Sequence, residues 1–318
     1  MHRIKLRESI EMEELAFNPY LAFGWCVLAG FIMSMGGGGG GILAGIGHIS
    51  ILGIGDPNMI KAVNQILEIA SRIVSVPFYH KQKRIVWPLA VCYAIGAPAG
   101  AILGAWLSRH YLTDMSVYKP VFGALVVIVA IRVMYEAWSR THRNQQAENA
   151  LAASEEARRQ YNVARAQQKK GLETSETHTG PKTAFKTLYK IRILFGGHEF
   201  DFNPIHVACG AFCISFVSSI VGVGGGFMTA PMLASLFLFP MYLVTGTALI
   251  AVVLPVAASV ITYIALHVQM DWWLVGIEAA GIMAGSFLGP ALNRYMNERL
   301  LKLYVAIVLL AIGIYYLF

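Results

Sequence analysis

Long apolar runs separated by short polar joints set the first expectation for this chain. The runs near Met59–Tyr79, Val86–Ser108, Tyr118–Trp138, Tyr242–His267, Trp272–Asn293 and Leu300–Phe318 each suit one helix. Each is long enough to cross about 30 Å of hydrocarbon. Two further apolar stretches, Tyr20–Gly55 and Pro204–Phe239, are too long for one crossing. Glycine runs interrupt both, Gly36 to Gly41 and Gly224 to Gly226. Each stretch reads as a pair of short half-helices meeting at a non-helical joint, because glycine weakens a helix by about 1 kcal/mol against alanine. Neither Leu15–Gly55 nor Pro204–Met270 contains an Asp, Glu, Lys or Arg.

The pattern repeats. An offset of 185 lays Gly39-Gly40-Gly41 on Gly224-Gly225-Gly226 and Trp87 on Trp272. The same offset lays Gly96, Gly100 and Gly104 on Gly281, Gly285 and Gly289, and Arg109 on Arg294. Coincidences in rare residue types at one offset indicate a tandem duplication. The expected fold is therefore an all-α polytopic membrane protein with two tandem repeats of about four transmembrane helices, residues 20–138 and 204–318. Each repeat opens with a glycine-broken helix pair. The glycine ladders place small residues on one helix face, the arrangement of close helix packing.

Between the repeats, residues 139–203 carry 11 of the chain's 25 Lys and Arg and 7 of its 18 acids. Asn144 to Lys170 is rich in helix formers, and Gly171 to Pro181 reads as a linker. Lys190-Ile191-Arg192-Ile193, Gly196-Gly197 and Glu199-Phe200-Asp201-Phe202 read as a β-hairpin. The insert is expected to be a small soluble helix plus hairpin. Its basic excess, with Lys81-Gln82-Lys83-Arg84, places it in the cytoplasm together with an N-terminal segment of residues 1–19. Re-entrant glycine hairpins that do not cross would instead leave three spans per repeat and invert the halves. The setting expected is a bacterial inner (plasma) membrane.

Composition agrees: 56% of residues are hydrophobic and 14% charged, where an ordinary soluble domain has roughly 25% charged. The net charge of +7 concerns topology, and no nucleic-acid partner is expected. Cys26, Cys92, Cys209 and Cys213 lie in apolar segments and read as small core residues. No further ligands stand at metal-binding spacing, so neither a metal nor a cofactor is expected.

Candidate chemistry sits at the breaks. Glycines in hydrocarbon expose amides that lipid cannot satisfy, and a half-helix opening there points its positive end at the joint. Gly38, Gly39, Gly40 and Gly41, with Gly224, Gly225 and Gly226, are the candidate anion cradle. A polar stripe of Lys61, Asn64, Gln65, Glu68 and Arg72 shares one face of the following helix. Such groups in a membrane are default functional candidates, although Glu68 and Arg72 can also neutralise each other and Lys61 can snorkel. The second repeat offers Thr245 and Thr247 instead of charge. Glu68 and Glu278 are candidate proton-coupling groups, Glu278 alternatively serving as hydrogen-bonded glue. His48 reads as a core histidine near the first break.

At these residues the chain resembles the TauE/SafE family of membrane permeases. The resemblance rests on Gly37–Gly41, Ala62-Val63-Asn64-Gln65, Gly222-Val223-Gly224-Gly225-Gly226 with Pro231, and Gly246-Thr247-Ala248. It implies movement of sulfite, thiosulfate or a related organosulfur anion, the expected small-molecule partner. The chain departs from the family pattern in Gly45-Ile46 and in its long central insert. With no phosphate-binding loop of the Gly-x-x-x-x-Gly-Lys type, a secondary carrier coupled to protons or sodium is the leading expectation. A passive anion channel and, behind it, an intramembrane enzyme remain alternatives, the latter lacking His-Glu-x-x-His and Gly-x-Ser-x-Gly. A homodimer is compatible with the sequence.

Overall fold

The computed structural model describes residues 18–35, 39–138, 145–169, 180–187, 189–292 and 298–317. Gly38, Arg294, residues 1–17 and most of the 171–181 linker lie outside them. Helices open where the sequence places a capping side chain before proline. Asn18 accepts from the Tyr20 amide at 3.0 Å and starts α1 (Pro19–Ser34). Asp56 accepts from Asn58 at 2.8 Å and starts α3 (Pro57–Lys81). Asn203 accepts from Ile205 at 2.9 Å and starts α7 (Pro204–Val221). The proline occupies the first turn, where its missing N–H costs nothing.

Between α1 and α3 lies α2 (Gly40–Ile46), continued by a π-helical turn, Gly47–Ile51. After α3 come α4 (Trp87–Tyr111) and α5 (Met115–Trp138). The second half has the same order: α7, α8 (Gly226–Pro231) with π-helical Met232–Leu236, α9 (Met241–Ala251), α10 (Val253–Ala265), α11 (Trp272–Leu292) and α12 (Glu298–Leu317). Among the described residues, Trp87–Tyr111, Met115–Tyr135, Pro204–Val221, Met241–Ala265 and Trp272–Pro290 are long and apolar enough to cross a membrane. The helical segments Gly40–Ile51 and Gly226–Leu236 are shorter; at about 1.5 Å per residue each falls well short of the hydrocarbon thickness.

Each short segment folds back on the helix before it. Gly40 packs on Met33 and Ala29, while the Trp25 indole donates to the Leu43 carbonyl at 2.7 Å and closes on Gly47. In the second half Gly210 packs on Met232, the equivalent depth. The glycine joints reverse the chain, whereas a pair that counts as one crossing must carry it onward. Helix α3 then runs alongside, with Asn64 by Gly45, Glu68 by Gly41 and Arg72 bonded to the Met33 carbonyl.

The ladders join the halves. A Cβ on Gly96, Gly100 or Gly104 of α4 would overlap the backbone of Ala208, Phe212 or Phe216 on α7. One on Gly281 or Gly285 of α11 would overlap Phe23 or Val27 of α1. Helices with small residues approach this closely, and packing of that kind is the main drive to association in lipid.

The free carbonyls at the two joints also find partners, as an apolar medium demands. At the end of α1 the Tyr79 hydroxyl donates to the Ser34 carbonyl at 2.8 Å and the Ser34 hydroxyl to that of Phe31 at 2.9 Å. At the end of α7, Tyr263 donates to Ser219 at 3.0 Å and Tyr118 to Val221 at 2.9 Å.

The insert contains α6 (Gln145–Lys169) and three antiparallel strands in the order β1 (Lys182–Lys186), β2 (Ile191–Phe195), β3 (His198–Phe202). The expected hairpin is β2–β3, and β1 adds a strand that its Lys-rich sequence hides. Ile191, Ile193, Phe195, Phe200 and Phe202 form the buried face. Phe200 and Phe202 rest on Phe239 with ring centres 5.8 Å apart, and Phe195 stacks on Tyr242 at 6.0 Å. On the other face Arg192 bonds Asp201 at 2.9 Å and holds its carboxyl below the usual carboxylate range. The cysteine expectation needs correcting: Cys26 is buried, but Cys209 and Cys213 are exposed on α7. Both lie on an apolar helix whose outer side has lipid rather than protein to face.

Candidate anion site at the paired glycine joints

The two joints meet. A Cβ on Gly41 would overlap the Val223 carbonyl and stand 3.1 Å from Glu68 Oε1. Gly224 touches the same side chain, its Cβ position lying 2.6 Å from Glu68 Cγ. From Gly226 the corresponding distance to Arg72 Nη2 is 3.0 Å. Gly222 and Gly224 both have φ of +73°, a region that side chains other than glycine enter at a cost. Together they turn the chain sharply enough to put Val223 against α2. The first residues of α2 and α8, capped by Gly39 and Gly225, receive no side-chain capping bond. Two positive helix ends therefore converge on the Glu68–Arg72 pair.

Glu68 and Arg72 are one helical turn apart and 1% and 4% exposed. Arg72 Nη2 donates to Glu68 Oε2, and Nη1 to the Met33 carbonyl at 3.3 Å. Arg72 Nε has no hydrogen-bond partner among the described residues. Nor have the amide atoms of Asn64 and Gln65, which are 0% and 1% exposed. Buried amides are nearly always satisfied by protein or bound solvent, so this face of α3 holds unused donors and acceptors about two turns before the guanidinium.

The structure brings together Gly41, Gly224, Gly226, Glu68 and Arg72, with Asn64 3.1 Å from the Cβ position of Gly45 one turn away. Gly39, Gly40 and Gly225 supply backbone at the same joints. Lys61 goes elsewhere. Its ammonium donates to Ser108 Oγ and the Leu112 carbonyl, both at 2.8 Å, and lies over the Tyr118 ring. It closes the C-terminal end of α4, where cations are favoured. Thr245 turns back to the Met241 carbonyl at 3.0 Å, and Thr247 accepts from the Val86 amide at 2.9 Å. Both hydroxyls are thus engaged, that of Thr247 at the start of α4.

Glu278 pairs with His48, whose Nε2 lies 2.9 Å from both carboxylate oxygens, each residue being 1% exposed. The two residues are 230 positions apart, so nothing in the sequence joins them. Equally hidden from sequence are the Tyr93–Thr229 hydroxyl bond of 2.7 Å beside Gly225 and the Ser71–Ser286 bond of 2.8 Å next to Arg72 in the chain. A lone hydroxyl on an apolar helix was the only available signal.

The family model described as "Sulfite exporter TauE/SafE" matches residues 22–316. The chain belongs to that family. Among curated proteins, this TauE/SafE member is 22% identical over 262 residues to "Probable membrane transporter protein YunE" of Bacillus subtilis (strain 168). That match covers 81% of this chain and 80% of the relative. No solved structure matches. Family and apolar helices together make the chain an integral membrane protein and a membrane transporter.

Proposed function

We propose that this TauE/SafE protein is a secondary carrier for a small sulfur-containing oxyanion, such as sulfite, thiosulfate or an organosulfonate, bound where the two glycine joints meet. The observation that carries the reading is the convergence of two half-helix N-termini without side-chain caps on the buried Glu68–Arg72 pair, with the unpartnered amides of Asn64 and Gln65 about two turns before Arg72 on the same helix. Main-chain donors and a guanidinium suit a tetrahedral or pyramidal oxyanion, because they offer several hydrogen bonds and one compensating charge. The proposed contacts are the amides of Gly39–Gly41 and Gly224–Gly226, the Arg72 guanidinium and the side chains of Asn64 and Gln65. Lys61, Thr245 and Thr247 belong to the scaffold around them.

The proposed architecture is a tandem duplication, 20–138 and 204–318, with each repeat contributing a re-entrant hairpin and three spans. An odd number of spans inverts one repeat against the other, a common transporter plan in which the substrate sits where the repeats meet. The basic insert and the Lys81–Arg84 loop then lie in the cytoplasm of a bacterial inner membrane, with the N-terminus on the opposite face. That placement replaces the shared side expected from charge.

Flux into proteoliposomes tests the carrier. Labelled thiosulfate or sulfite is expected to enter saturably and faster than into empty vesicles, with Arg72→Ala reducing the rate at least about tenfold, the worth of one charge-assisted contact. Flux equal to empty vesicles across sulfite, thiosulfate and sulfonates refutes it. Ohmic single-channel conductance would replace the carrier by a channel.

A further inference from the structure

The strongest unclaimed feature of the joint is that something anionic already occupies it. Glu68 Oε1 lies 3.1 Å from the Cβ position of Gly41 and 2.7 Å from that of Gly224, and Oε2 is bonded to Arg72. A carboxylate thus stands against both half-helix openings and the guanidinium, the groups assigned above to the transported anion. We propose that Glu68 is a tethered competitor for the anion site: substrate enters only when Glu68 takes up one proton and withdraws, so one proton moves with each anion. The inference rests on the anion-carrier reading and names its coupling ion.

The physical reason lies in Arg72. A buried guanidinium without a counter-charge is costly, and so is a second anion placed beside a first. Exchanging the ionised Glu68 for an incoming anion keeps Arg72 paired in both states. The proton comes from the water that admits the anion, binds a Glu68 oxygen, and leaves when Glu68 ionises again on release. Charge is accounted for at every stage: a doubly charged anion and one proton carry a net single negative charge.

Among the described residues, the other buried titratable groups on the packed elements are engaged. Lys61, on the same helix, bonds the end of α4. Tyr79 donates to Ser34 and Tyr263 to Ser219. Tyr93 from α4 bonds Thr229 beside Gly225. On α11 Glu278 pairs with His48 of the π-turn, and Cys26 of α1 lies next to that carboxylate. The ion pair of Glu68 is with Arg72. His48–Glu278 is therefore the rival proton carrier that a test must separate.

Thiosulfate is the probe, because it keeps both charges across the useful pH range. Calorimetry on purified full-length protein in buffers of differing ionisation enthalpy gives affinity and proton uptake together. For wild type, affinity should rise by about tenfold per pH unit as pH falls from about 8 to about 6, with one proton taken up per anion. Glu68→Gln should bind independently of pH and take up none, and its vesicle flux should no longer respond to a proton gradient. Glu68→Asp, one methylene shorter, should compete less well and raise affinity at high pH while retaining the uptake. Glu278→Gln should retain it too. Wild-type binding with no proton uptake would overturn the tethered competitor and leave the anion carrier standing. Uptake that survives in Glu68→Gln but vanishes in Glu278→Gln would overturn it in favour of the histidine pair. Failure of wild type to bind thiosulfate, sulfite or a sulfonate at any pH would remove the anion reading itself. If the Glu68→Gln variant does not fold, Glu278→Gln still separates the two: uptake kept there leaves the proton with Glu68, and uptake lost there gives it to the histidine pair and overturns the tethered competitor.

Discussion

Asn64 and Gln65 separate packing from function at the level of single residues. A buried polar group without a partner costs roughly 1–3 kcal/mol, and replacing it by an apolar group of similar shape removes that cost. Gln65→Leu is therefore expected to leave the apparent melting temperature unchanged or to raise it, while lowering thiosulfate affinity by about tenfold, one hydrogen-bonded contact to an anion. Parallel melting and binding measurements check this, and a variant that loses stability while keeping affinity would return the amide to the scaffold. The stripe from Lys61 to Arg72 was legible because five polar residues on one helical face stand out in an apolar run. Their individual fates were not. Lys61 is drawn away by Ser108 and Leu112, partners 47 and 51 positions distant. Periodicity identifies the face of a helix but is silent on what another helix brings to it.

At the scale of elements, the joints work because glycine permits two things at once, a positive φ and a close approach. Gly224 needs both, with φ of +73° and the Glu68 side chain against the place a Cβ would occupy. Gly224→Ala is expected to destabilise the protein by about 1–3 kcal/mol from the backbone alone, and to displace Glu68, so transport should fall below detection. Gly276→Ala is the matched control, since nothing lies within 4 Å of its Cβ position; alanine favours a helix by up to about 1 kcal/mol, so stability should hold or rise. Thermal melting and vesicle flux on both variants make the comparison, and equal effects would show that Gly224 is no more constrained than an ordinary helical glycine. The broken pairs, the insert helix and the β2–β3 hairpin were all legible, because glycine runs and period-two alternation are local signals. The reversal of the chain at each joint was not, since hydropathy registers that a segment is apolar and carries no information about its direction.

Direction decides the shape of the whole molecule. With each pair counted as one crossing, both chain ends and the insert share one side of the membrane. With each pair returning, the ends of the chain move to the side opposite the insert while the helices themselves stay in the same order. Several contacts favour the second arrangement. Trp25 near the start of α1 meets Leu43 and Gly47 on the returning segment, and Ser50 at the foot of that segment bonds Tyr316 at the end of α12. Tyr316 also receives Lys119 over its ring, at the start of α5. On the other side Arg84 spans Tyr79 and Tyr242, and Tyr242 stacks on Phe195 of the insert. Single cysteines in a chain whose four native cysteines are replaced by serine can report the sides. Tyr20→Cys, at a residue 87% exposed, and Thr113→Cys, in the α4–α5 loop, should react with a membrane-impermeant maleimide in intact cells. Tyr189→Cys, 65% exposed in the insert, should react only after the cells are opened. Residues 113 and 189 fall on opposite sides in either arrangement, so they calibrate the assay and position 20 decides it. Labelling of position 20 together with 189 would restore the crossing pairs. It would also remove the two-fold relation that brings one half-helix opening to the joint from each face of the membrane, and with it the reason for an anion to be released alternately to the two sides.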